Sequence, residues 1–163
     1  MPELGYYSLP PLVEQVDEVS CWAAALEAWL SVTPGRKKRS QHELIGLMEQ
    51  KGALNAEGYL NTKKGIPILA QMAGMGLQVF PKHKKDQLTG SFLLKKLAKR
   101  GYLYMIYNVY GVGHAVVVYG IVNEPGNETV FAMDPWMGRA YTNDTLDGYK
   151  EDSHEFVVGW SAY

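Results

Sequence analysis

The chain has 163 residues, 47% of them apolar and 20% charged, and carries a net charge of −1. That is enough for one hydrophobic core and gives no electrostatic bias toward nucleic acid or a membrane surface. A single cysteine excludes an internal disulfide, and four scattered histidines without Cys-x-x-Cys or His-x-x-x-His spacing argue against zinc, so no metal or other cofactor is expected.

Met1-Pro-Glu-Leu opens without a basic-then-apolar leader, and no apolar run reaches membrane-spanning length. Neither a signal peptide nor a transmembrane helix is therefore expected. The next informative stretch is Gln15-Val-Asp-Glu-Val-Ser-Cys21-Trp22, with the only cysteine six residues after a glutamine. From Trp22 onward Ala25, Leu26, Trp29 and Leu30 recur at three- and four-residue intervals until Pro34-Gly35, which predicts a helix over roughly 21–32. Cys21 would then begin a buried helix, where unpaired N–H groups and the helix dipole favour a thiolate. The side-chain amide of Gln15 and the backbone N–H of Cys21 would form two donors for an oxyanion. A lone cysteine in an apolar helix serves equally well as a small buried hydrophobe.

Ser40-Gln-His-Glu43 reads as a capping box opening a second helix to about Lys51, with Gly52 as its stop and His42 solvated in the first turn. A third helix is predicted over 65–75, with Pro67 in its first turn and Gly76 behind it, followed by a short strand at 77–81. A fourth runs from about Gly90 to Arg100, with Leu93, Leu94 and Leu97 on one face. Its Lys95, Lys96, Lys99 and Arg100, with the run Lys82 to Lys85, make a local basic surface, either a solvated face or a docking patch for an acidic partner.

Strands are predicted at about 102–107, 113–121, 129–133 and 154–160. His114 opens the second of these, and the third stops at Asp134. The turn residues Glu124-Pro-Gly-Asn127 make the two strands antiparallel, bringing Asp134 back beside His114. A carboxylate there would fix the imidazole tautomer and stabilise an imidazolium paired with a thiolate. Taken singly, the histidine also reads as a core residue bonded to backbone, and Asp-Pro as a turn.

Gln15, Cys21-Trp22 opening a helix, His114-Ala-Val with Gly120, and Asp134 with Trp136 together resemble the papain-like cysteine peptidases, in that family's chain order. The phrases Gly-His-Ala-Val-Val-Val and Asp-Pro-Trp-Met-Gly are most similar to compact bacterial forms, the C39-like and AvrRpt2-like peptidases, where aspartate is the third triad member. The resemblance implies Cys21 as nucleophile, His114 as general base and acid, Asp134 as the orienting residue and Gln15 with the Cys21 amide as the oxyanion hole. It also implies that Trp136 shields the histidine–aspartate bond. The implied fold is α+β, a helical lobe carrying the cysteine packed on an antiparallel sheet lobe carrying the histidine and aspartate, in a single domain over 1–163.

The function expected from this resemblance is an endopeptidase cleaving proteins through an acyl-enzyme, as a bacterial effector or a toxin domain of a longer protein. Its partners would be a protein or peptide substrate and an inhibitory immunity protein, with no direct nucleic acid and no membrane contact. A lone thiol suits a reducing cytoplasm. A glutamine deamidase or transglutaminase using the same thioester chemistry, and an inactive binding module, are the alternatives. The main substrate pocket is expected on the loops 55–65 and 110–112, without a readable side-chain preference.

Overall fold

The computed structural model describes residues 3–109, 112–151 and 155–163. In chain order the elements are β1 (Glu3–Tyr6), α1 (Cys21–Val32), α2 (Gln41–Gln50), α3 (Thr62–Ala73), β2 (Met75–Phe80), a 3-10 turn (Lys82–Gln87), α4 (Gly90–Arg100), β3 (Leu103–Val109), β4 (Val112–Asn123), β5 (Thr129–Asp134), β6 (Ala140–Thr145), α5 (Leu146–Glu151) and β7 (Phe156–Ser161). The architecture is α+β, as the residue pattern leads one to expect. Among the described residues all strand pairings are antiparallel in one sheet of order β2-β7-β3-β4-β5-β6. β4 outruns β3, so the free end of the same edge, Gly120 to Asn123, is taken by β1. At Gly120 a Cβ would lie 2.7 Å from the Tyr6 ring, which is why this crossing needs glycine.

Helices cover both faces of the sheet. Alternation along each strand divides its side chains: Tyr104, Ala115, Val117, Met133 and Val157 meet α1 and its neighbours, whereas Met105, Val116, Val118, Ala132 and Val158 meet α4 and α5. Helix α1 is buried nearly all round, and Ala23, Ala24, Ala25 and Ala28 are fully enclosed. Small side chains bring its backbone close to the sheet, where the Trp29 indole N–H donates to the Tyr102 carbonyl at 2.9 Å and the Tyr104 hydroxyl donates to the Trp22 carbonyl at 2.8 Å. The turn that carries Cys21 is thus fixed against β3 from within the core.

Several local expectations are corrected. Helix α3 starts at Thr62, not 65, because Asn61 caps it by accepting from the Lys64 N–H; Pro67 therefore falls in the second turn. Its missing N–H would have served the carbonyl of Lys63, which is exposed, so water can take that bond. The expected capping box is half made: Ser40 accepts from the Glu43 N–H, but the Glu43 carboxylate turns to Arg39 at 3.1 Å. Strands β1 and β6 and helix α5 were not expected, and His154, expected at the start of β7, lies outside the described residues. Within the basic surface, Lys96 packs its ammonium 3.9 Å above the Trp160 ring. No helix among the described residues is long and apolar enough to cross a membrane.

Candidate active site

Cys21 is the first residue of α1. Helices α2, α3 and α4 are each capped by a side chain, from Ser40, Asn61 and Thr89, but Ser20 makes no such bond to α1, and no acidic residue stands in its first turn. The N–H groups of a helix's first turn have no partner within the helix. The Ser20 carbonyl takes the Ala23 and Ala24 N–H groups at 3.1 Å, so the uncapped start leaves those of Cys21 and Trp22 for an incoming anion. Cys21 is 6% exposed, and its sulfur lies 3.6 Å from the Gly113 carbonyl at the start of β4.

The antiparallel pairing of β4 with β5 brings the histidine and the aspartate together. Val117 faces Met133, so one step further Asp134 lies opposite Val116, two residues from His114 on the same sheet face. His114 Nε2 and Asp134 Oδ1 are 2.7 Å apart. That contact leaves Nδ1 clear of Asp134, and the Cys21 sulfur, next to the Gly113 carbonyl, is the other side chain that favours the charged imidazole. The Tyr107 ring, directly across from His114 on β3, meets the imidazole edge-on at 5.6 Å and limits its rotation.

Burial opposes charge on His114, but the bonds to Asp134 and Cys21 outweigh it and raise the imidazole from 6.5 to about 9. Burial likewise pushes the Asp134 carboxyl up, while His114, the Trp136 N–H and Arg139 together hold it below its ordinary range. The Trp136 N–H donates to Asp134 Oδ1 at 2.9 Å, and Arg139 Nε stands 3.3 Å from Oδ2. Arg139 escaped the sequence reading. A turn from β5 into β6 returns it over Asp134, with Gly138 and Ala140 at φ of 84° and 56° on either side, and only an expected β6 could have revealed it.

The structure does not bring all the expected site residues into one cleft. A groove of about 480 Å³ is lined by Cys21, Trp22, His114, Ile106, Glu155 and the segment 55–63, but not by Gln15. Gln15 is buried beside this site: its N–H donates to the Pro135 carbonyl at 2.9 Å and its Nε2 to the Asp17 carbonyl at 2.7 Å, while Oε1 has no partner. Trp136 is 40% exposed, and its backbone N–H bonds the aspartate. Of the expected pocket loops, 55–63 do line the groove, while residues 110 and 111 lie outside the described residues. No group of side chains able to hold a metal occurs among the described residues.

A thiol at an uncapped helix start, facing an imidazole backed by a carboxylate across a cleft, defines the class of papain-like thiol hydrolases. Over residues 6–154 the chain matches the family Peptidase_C70, the papain-like cysteine protease AvrRpt2, and it belongs to that family: it is a cysteine protease. Similar folds include the peptidase domain of Streptococcus ComA, a bifunctional ABC transporter of a quorum-sensing pathway (TM-score 0.59, 18% identity, 91% of this chain and 96% of that one). UfSP from C. elegans aligns with TM-score 0.64 and 11% identity over 97% of this chain and 34% of its own. A structure from work on the mite allergens Blo t 1 and Der p 1 aligns with TM-score 0.56 and 12% identity, over 93% of this chain and 67% of that one. Among curated proteins none matches the chain in sequence.

Proposed function

We propose that Cys21, His114 and Asp134 are the catalytic triad of an endopeptidase acting on proteins. The observation that carries this is the imidazole itself, held at Nε2 by Asp134 at 2.7 Å, with the Cys21 sulfur beside its strand, 3.6 Å from the Gly113 carbonyl. The Cys21 thiolate attacks the scissile carbonyl, and the oxyanion takes bonds from the Cys21 N–H and from the second Nε2 hydrogen of Gln15. His114 then gives its proton to the leaving amine. The acyl-enzyme is hydrolysed by a water that His114 deprotonates, returning the thiolate–imidazolium pair. Trp136 restricts water around the His114–Asp134 bond. The two apolar clusters share one sheet, which supports a single domain over 1–163.

The setting we propose is a bacterial effector or toxin domain that works in a reducing cytoplasm, restrained in its producer by an immunity protein. The free thiol supports this, because oxidation would inactivate the enzyme. Wild type and Cys21→Ala are to be incubated with a cell lysate and compared by mass spectrometry for new N-termini and for Gln-to-Glu changes. Cys21-dependent new termini are expected, and folding of the variant should be unaffected. Deamidated glutamines without new termini would replace the endopeptidase reading with a deamidase, and full activity of Cys21→Ala would remove the triad.

A further inference from the structure

The segment that carries Gln15 has no regular structure; Glu14 and Val16 are exposed, and only Gln15 between them is buried. Such a stretch cannot by itself hold an amide in place to the tolerance that oxyanion binding needs, since a misplacement of about 1 Å can cost about 10²-fold in rate. Besides the amide's own bond to the Asp17 carbonyl and the N–H bond to Pro135, the backbone on either side of Gln15 is held by one side chain from another element. Gln41, the first residue of α2 and 7% exposed, donates from Nε2 to the Glu14 carbonyl at 2.7 Å and accepts at Oε1 from the Val16 N–H at 3.1 Å.

Those two bonds straddle residue 15. In an extended chain the groups of residues 14 and 16 that point one way leave the N–H of residue 15 pointing the other, and that N–H donates to the Pro135 carbonyl at 2.9 Å. Gln41 thus stands where a neighbouring strand would, on one edge of the segment, and Pro135, next to Asp134, stands on the other. Gln41 is itself fixed to the nucleophile's helix, because its backbone N–H donates to Glu27 Oε1 on α1 at 2.6 Å. A buried amide costs stability unless each of its groups is bonded. Here Nε2, Oε1 and the backbone N–H are all bonded, so the residue is matched to this one geometry.

We propose that Gln41 is a positioning residue for oxyanion binding: it clamps residues 14–16 and so aligns the Gln15 amide relative to Cys21 on α1 and Asp134 on β5. The clamp rests on the reading of Gln15 as the oxyanion donor.

Two small reagents separate the steps without a known substrate. p-Nitrophenyl acetate acylates Cys21 through a tetrahedral oxyanion, forming the S–C bond and releasing p-nitrophenolate. Iodoacetamide alkylates the same sulfur by displacement of iodide at a saturated carbon, with no oxyanion. In Gln41→Met, acylation should fall by about tenfold or more, while alkylation and its pH profile stay within about twofold of wild type. Gln41→Asn, which keeps an amide but is one methylene short of reaching both partners, should behave alike and covers the case in which the methionine variant does not fold. In a Gln15→Ala background, Gln41→Met should cost nothing further, because the group it aligns is gone.

Wild-type acylation in the folded Gln41 variants would overturn the clamp. So would acylation and alkylation falling together, or a loss that adds to that of Gln15→Ala. Full acylation in Gln15→Ala alone would instead remove the oxyanion reading of Gln15, and that result is visible without any change at Gln41.

Discussion

At the scale of single residues, His114 keeps its proton to about pH 9 because a carboxylate and a sulfur both bond the ring, more than offsetting its burial. The proton that the proposed mechanism passes to a leaving amine is therefore present across neutral pH and lost as the pH rises through that value. The alkaline limb of kcat/KM is expected near pH 9, since kcat/KM reports the free enzyme. Asp134→Asn removes the largest favourable contribution, so its limb should move to lower pH and its rate should fall by at least about tenfold. Arg139→Ala leaves Asp134 with His114 and the Trp136 N–H. Because Arg139 is 53% exposed, its ion pair is worth ~0.2–1 kcal/mol, about fivefold in rate at most. An unmoved alkaline limb in Asp134→Asn would show that the carboxylate does not set the charge of the imidazole.

At the scale of elements, the cap of α3 does two jobs. Asn61 accepts from the Lys64 N–H at 3.0 Å, and Asn61, Thr62 and Lys63 line the cleft opposite Cys21. Asn61→Ala should lower stability by about 1 kcal/mol, read as a shift in the urea midpoint, and should lower kcat/KM through the frayed cleft wall. Iodoacetamide alkylation of Cys21 should stay at the wild-type rate, and a parallel fall would mean that the helix start supports the nucleophile instead. The same helix shows where sequence reasoning stopped. Helices α1 and α4 were legible from their apolar period and the proline or glycine behind them, and α2 from its Ser40 cap and Gly52 stop. Pro67 as a first-turn cue points to a start at 65, whereas the Asn61 cap sets it at Thr62, and β6 is largely exposed, so burial marks it weakly in the sequence. Cys21, His114 and Asp134 were legible because each sits at an element end that local pattern defines. Gln41 and Arg139 were not, because both act through bonds to residues distant in sequence or across an unrecognised turn.

For the whole molecule, the site's charges are also terms in folding, because His114 and Asp134 bond the neighbouring strands β4 and β5. A histidine whose folded value lies above its unfolded 6.5 contributes stability that is complete below pH 6.5 and is lost as pH rises to about 9. Asp134, held below its ordinary 3.8, contributes above that value and loses its contribution as acid protonates it in the folded state. These two groups therefore place their combined maximum between about pH 4 and 6.5. Urea unfolding of wild type across pH 5 to 9.5 should show midpoints that fall on the alkaline side from about pH 6.5 upward. His114→Ala should be less stable at pH 6 and should lose most of that slope, so the two curves converge as pH approaches 9. Parallel curves would mean that the imidazolium bonds stabilise the unfolded and folded chains alike, and that the raised basicity of His114 does not arise from the folded contacts with Asp134 and Cys21. Convergence would tie the reactivity of the cleft to the pairing of β4 with β5, since the same His114–Asp134 bond would serve both.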